Sequence, residues 1–219
     1  MAERAGNAVR VYVEIGRKKT FAGALDWPGW IRAGKSVDGA LEALADYRGR
    51  YGMVASHAGL QVPTADFEVV EELPGNGSTD FGAPDRIATA DYEPWVDEAE
   101  RERHVALLEA SWRLLDEVAV TASPELRKGP RGGGRDRDEV VAHVLGAHVG
   151  YARRIGVRDR VPDLADPVAV AAHRQRVIDT VRQPPASVPG KPWPVRYALR
   201  RMAWHLLDHA WEMEDKTLA

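Results

Sequence analysis

Apolar and polar residues alternate along the first stretch of the chain. From residue 9 to 15, Val9, Val11, Val13 and Ile15 interleave with Arg10, Tyr12 and Glu14, the period of two that marks a strand with one buried face. The GRKK that follows predicts a turn and residues 20–25 a second strand. Trp27-Pro28-Gly29-Trp30 then punctuates the chain before a third strand near Ile31. Ser36 is placed to cap a helix in which Ala40, Leu41, Leu44 and Ala45 recur at helical spacing, and the Arg-Gly-Arg after Tyr47 predicts its end. Strands are expected again over 51–55 and 67–73.

The period changes after residue 92. Residues 73–92 (LPGNGSTDFGAPDRIATADY) concentrate Pro, Gly, Asn, Ser and Asp without apolar periodicity, the composition of an exposed connection. Beyond it a helix is predicted from near Pro94, with Val105, Leu108, Trp112, Leu115 and Ala119 on one stripe. SPELRKGPRGGGRDR interrupts the helical pattern. It has neither a preceding strand nor the G-K-[ST] ending of a phosphate-cradling loop, so it reads as a flexible basic linker. A second helix is predicted over 136–154, acidic in its first turn and arginine-rich in its last, as the helix dipole favours. Asp166 and Pro167 open a third, which runs to Gln183. The fourth, from Pro194 or Val195 to Lys216, carries Val195, Leu199, Met202, Leu206, Ala210 and Met213 as its apolar stripe. The fold expected is therefore α+β: a small α+β domain over 1–73, a linker over 74–93 and an antiparallel four-helix bundle over 94–219.

Composition narrows the chemistry. There is no cysteine among the 219 residues, which removes disulfides, thiolate metal sites and cysteine nucleophiles and fits a reducing compartment. The 30 basic and 33 acidic residues are interspersed and sum to −3, so no basic field draws in nucleic acid or anionic lipid. No apolar run approaches a membrane span, and the opening MAERAGNAVR has no signal-peptide segment. A cytoplasmic location is expected, without nucleic-acid or membrane partners.

The informative residues lie on the second and fourth helices of the bundle. His205 and His209 are four apart, so on a helix they project from one face with Cβ atoms about 6 Å apart, near enough to chelate one divalent ion. They border the core stripe, where unpaired imidazoles are costly to bury. A third ligand must come from another helix. Periodicity leaves two candidates open: His143, on a face with Val140, Ala147 and Tyr151, and His148, on a face with Val141, Leu145 and Ala152. Glu212, one turn beyond His209, and Asp208 on its flank are placed to orient a ligand, or else to pair with Arg196, Arg200 or Arg201. Those three arginines are the candidates for receiving an anionic substrate or cofactor. Reading H-L-L-D-H as an inverted zinc-protease motif is disfavoured, because Asp stands where that motif has Glu. His57 is expected in a surface loop, His104 and His173 facing solvent, and Trp95, Trp112, Trp204 and Trp211 in packing roles.

Two resemblances extend this reading. FAGALDWPGWIRAGKSVDGALEAL resembles the partial fold of HicB-like antitoxins over about residues 9–73, with Trp30 where that family usually has Cys, and implies a small accessory domain. His143 in RDEVVAH, followed at long range by WHLLDHAWEMED, resembles the DinB-like superfamily over about residues 94–217. That superfamily includes bundles of the mycothiol-dependent maleylpyruvate isomerase type. The resemblance implies a divalent ion held by His143, His205 and His209, His143 being preferred to His148 because the family places its ligand near the start of the second helix. Imidazoles suit zinc, nickel, iron and copper, with zinc or nickel expected here. It further implies a metal-dependent enzyme that activates water or a low-molecular-weight thiol for transfer, isomerisation or hydrolysis of a small molecule, in bundles that often pair as homodimers. The alternative is a non-catalytic binding or regulatory protein whose metal is structural or vestigial.

Overall fold

The computed structural model describes residues 8–129 and 134–218. The first seven residues, and with them most of the segment read for a signal peptide, lie outside this range, as does the centre of the basic stretch between the first two bundle helices. The chain divides after Ala110 into two compact units.

The first unit is built on a four-stranded mixed sheet in the order β3-β2-β1-β4. Its strands are β1 (Val9–Ile15), β2 (Thr20–Ala24), β3 (Ile31–Gly34) and β4 (Phe67–Pro74). β1 pairs antiparallel with β2, Val13 opposite Ala22, and parallel with β4, whose register slips between Val11 and Tyr12. The parallel pairing requires a crossover, supplied by α1 (Val37–Asp46) and α2 (Arg48–His57). Ser36 caps α1, its hydroxyl accepting from the Gly39 N–H at 3.1 Å.

Two expectations are corrected here. Residues 51–55 are helical, within α2, and not a strand. Tyr51, Val54 and Ala55 are its buried residues, and their i, i+3, i+4 spacing puts all three on one helix face. Residues 73–92 are also more than a bare connection. Asn76 caps a short helix α3 (Gly77–Phe81), a 3-10 turn spans Thr89–Tyr92, and Thr79, Ala88 and Asp91 are buried. These residues cover the second face of β1. Tyr12 packs with Leu25, Ala88, Leu73 and Ala90. The Glu14 carboxylate, fully buried, accepts from the Thr79 hydroxyl at 2.5 Å and from the Arg86 N–H at 3.0 Å. Burial pushes the Glu14 carboxyl up, and these donors offset the shift.

The long α4 (Glu98–Thr121) crosses the division between the units. In the first unit its His104 is 1% exposed, against the expectation of solvent. The ring lies 4.9 Å from that of Trp95, and Nδ1 donates to the Glu100 carbonyl at 2.9 Å.

The rest of α4, with α5 (Arg137–Ala152), α6 (Pro167–Arg182) and α7 (Val195–Lys216), forms the helical second unit. Local chemistry sets the ends of these helices. The Asp166 carboxylate accepts from the Ala169 N–H at 3.0 Å ahead of Pro167, and Glu139 accepts from the Asp136 N–H at 3.0 Å. The chain after α4 is tied to the end of α7 by a backbone hydrogen bond from Arg127 to Lys216 at 2.8 Å. α7 is buried over most of its surface, with Leu199, Met202, Leu206, Ala210 and Met213 all in the core. Among the described residues no helix is long and apolar enough to cross a membrane.

Candidate metal centre

α5 and α7 bring three imidazoles to one point. The ring centroids of His143, His205 and His209 lie 5.1, 5.1 and 4.7 Å apart, and one nitrogen of each falls within 4.8 Å of the other two. His205 and His209 meet because they are one turn apart on α7. His143 joins them because α5 packs that face toward α7.

His148 is excluded by helical geometry. Five residues on, it is turned about 140° away from His143 around α5. It is 3% exposed and faces Trp112 and His173 instead. His173, expected in solvent, is fully buried.

The three rings differ in setting. His205 is 7% exposed while His143 and His209 are half-buried. Burial first, then His209, Arg201 and His143, pushes His205 down to about 2. Burial, Arg135 and His209 likewise hold His143 below its ordinary value, with Glu212 pulling the other way. Both are therefore neutral at pH 7 and offer lone pairs, the form a metal requires. His209 Nδ1 donates to Glu212 Oε2 at 2.8 Å, which leaves its Nε2 as the ligand atom. Glu212 is in turn held by Lys216 Nζ at 2.6 Å, and its hydrogen bond from His209, together with Lys216, pushes it down to about 2. The three imidazoles and the carboxylate behind His209 could hold a metal ion.

The other candidates separate. Arg201 lies one turn before His205, its guanidinium carbon 5.4 Å from the centre of the Tyr151 ring and 4.6 Å from that of Trp204. Those two rings lie 5.7 and 6.0 Å from His205. Arg196 and Arg200 are 8% and 2% exposed, so neither is a solvated surface arginine. They occupy a different row of α7 from Arg201, His205 and His209. Asp208 is half-buried beside His209. The sequence marks Tyr151 only by its place on the His143 face.

The reach from Glu212 to His209 carries a prediction. Glu212→Gln removes the charge that orients His209 and is expected to weaken metal binding about ten- to a hundredfold. Competition titration with a chromogenic chelator reads this, and an unchanged affinity would show that Glu212 serves only Lys216.

Comparison of the chain with protein-family models, with curated proteins and with solved structures returns no match.

Proposed function

We propose that this protein is a metal-dependent enzyme of the DinB-like kind, acting on a small molecule with the help of water or a low-molecular-weight thiol. The observation that carries the reading is the convergence of His143, His205 and His209 from two helices distant in sequence. Three protein ligands are the set found in catalytic sites of nitrogen-ligated ions, where structural sites take four.

Held by His143, His205 and His209, a divalent ion would supply Lewis acidity to activate water or a thiol and to polarise a substrate oxygen. The chain's own residues do the rest. Glu212 and Lys216 fix the ring of His209. The Arg201 guanidinium, braced against Tyr151 and Trp204 beside His205, favours an anionic group on the substrate or thiol. Arg196 and Arg200, with Asp208, extend the candidate set from the same helix. A small-molecule substrate, a cytoplasmic setting and a homodimeric bundle complete the reading.

The test is cobalt substitution. The visible spectrum of the cobalt protein is expected to shift on adding a small thiol or azide, as an exogenous ligand enters the coordination sphere. A spectrum unmoved by either would identify a closed, structural site and reject the enzymatic reading.

A further inference from the structure

Apart from the three-imidazole cluster, a second polar chain runs through the helical unit. It joins Trp112 on α4, His148 on α5, His173 on α6 and Asp159 in the segment between α5 and α6. Trp112 Nε1 lies 3.1 Å from His148 Nε2, and His148 Nδ1 lies 3.4 Å from His173 Nε2. His173 Nδ1 lies 2.6 Å from Asp159 Oδ2. Arg176 Nε holds both Asp159 oxygens, at 3.0 and 2.9 Å.

The chemistry of the ends fixes every proton in between. An indole N–H can only donate, so His148 Nε2 accepts and its hydrogen sits on Nδ1. His148 therefore donates to His173 Nε2, and His173 carries its own hydrogen on Nδ1, directed at the carboxylate. All three bonds run the same way, from Trp112 to Asp159, and use all four ring nitrogens. A further proton has no free lone pair to occupy. On His148 Nε2 it would face the Trp112 N–H. On His173 Nε2 it would face the His148 N–H, and a tautomer change in His148 only moves the conflict back to Trp112.

We propose that the chain Trp112–His148–His173–Asp159 is a proton-sensitive latch, which clamps α4, α5 and α6 while His148 is neutral and favours an opened state when the surroundings turn acidic. The charged and titratable groups around His148 support this. From α6 come His173, Arg176 and Arg174, the last paired with Asp116 of α4 at 2.6 and 2.8 Å. From α7, His205 lies within electrostatic reach. Asp159, the acid at the end of the chain, is already held by Arg176. Burial above all, then His173 and Arg174, pushes His148 down to about 3.

The direction in pH follows. An opened or unfolded chain takes up a proton at the ordinary histidine value near 6.5, and the closed latch does not. The stability contributed by neutral His148 is complete above 6.5 and is lost as pH falls toward 3. Between pH 7.5 and 5, His148 alone raises the unfolding constant about 30-fold.

The test compares the full-length protein with His148→Gln, both in EDTA so that the metal cluster plays no part. The glutamine carbonyl can accept from Trp112 and its amide can donate to His173, but it cannot take a proton. Denaturant titrations at pH 7.5 and 5 are expected to show the unfolding constant of the unsubstituted protein rising about 30-fold more than that of the variant. Equal rises would overturn the proposal. The second measurement needs no variant. Nitrogen-15 NMR of the folded protein is expected to show His148 as the Nδ1–H tautomer at pH 5, with the Trp112 indole resonance retained. A His148 ring that titrates near 6.5 while the Trp112 signal stays unmoved would equally overturn it.

Discussion

Replacing His143, His205 or His209 by alanine is expected to lower metal affinity at least about a hundredfold, since loss of a mere outer partner of a ligand already costs ten- to a hundredfold. Each ring supplies one of three donors within 4.8 Å of one another, so each substitution leaves only a two-imidazole remnant of much lower affinity. The effect also reads out as stability. A ligand that binds only the folded chain stabilises it by about 4 kcal/mol at a thousandfold excess over its Kd. Zinc or nickel is therefore expected to raise the melting temperature of the unsubstituted protein and leave that of the three variants unchanged. His148→Ala provides the contrast. It disturbs packing around Trp112 and His173 but should leave metal affinity within about twofold, because it is not a ligand. A metal-induced shift retained in His143→Ala would reduce the site to the α7 pair.

The second large effect falls in the sheet unit. Trp30 is fully buried and stacks on Tyr51 with centroids 5.2 Å apart and planes 12° from parallel. Its edge meets Phe67 at 5.4 Å, and its indole N–H donates to the Leu44 carbonyl at 2.9 Å. One side chain thus joins the approach to β3 to α1, α2 and β4. Trp30→Ala is expected to cost about 3–5 kcal/mol, the usual range for emptying an aromatic core position. Trp30→Phe keeps most of the ring area and loses the hydrogen bond, for a smaller cost of about 1–3 kcal/mol. Chemical denaturation ranks the two, and equal costs would show that the hydrogen bond, not the stacking, carries the position.

What could be read from the chain follows the range of the interaction that decides each feature. The limits of α6 and α7 were legible because Asp166, Pro167 and Pro194 act within a turn of themselves. The His205–His209 pair was legible for the same reason. Periodicity does not settle the third member of the cluster, since His143 and His148 both lie on apolar faces of α5 and only its packing against α7 separates them. Residues 51–55 carry no sequence signal that separates helix from strand, because two short buried runs, one helical and one extended, look alike until their neighbours are known. Tyr12 and Glu14 were placed on the exposed face of β1 because the cover comes from residues 79–91, whose composition gives no sign of it. His104 and His173 were given to solvent for want of their partners. His173 is buried by His148 and by Asp159, a loop residue whose role no spacing rule announces.

Metal content is the quantity on which the three-imidazole site is decided. Protein made without an affinity tag, exposed to zinc or nickel and then dialysed against metal-free buffer, is to be measured by elemental analysis beside His205→Ala treated identically. About one ion per chain is expected in the former and almost none in the latter. Equal metal content in the two would contradict it.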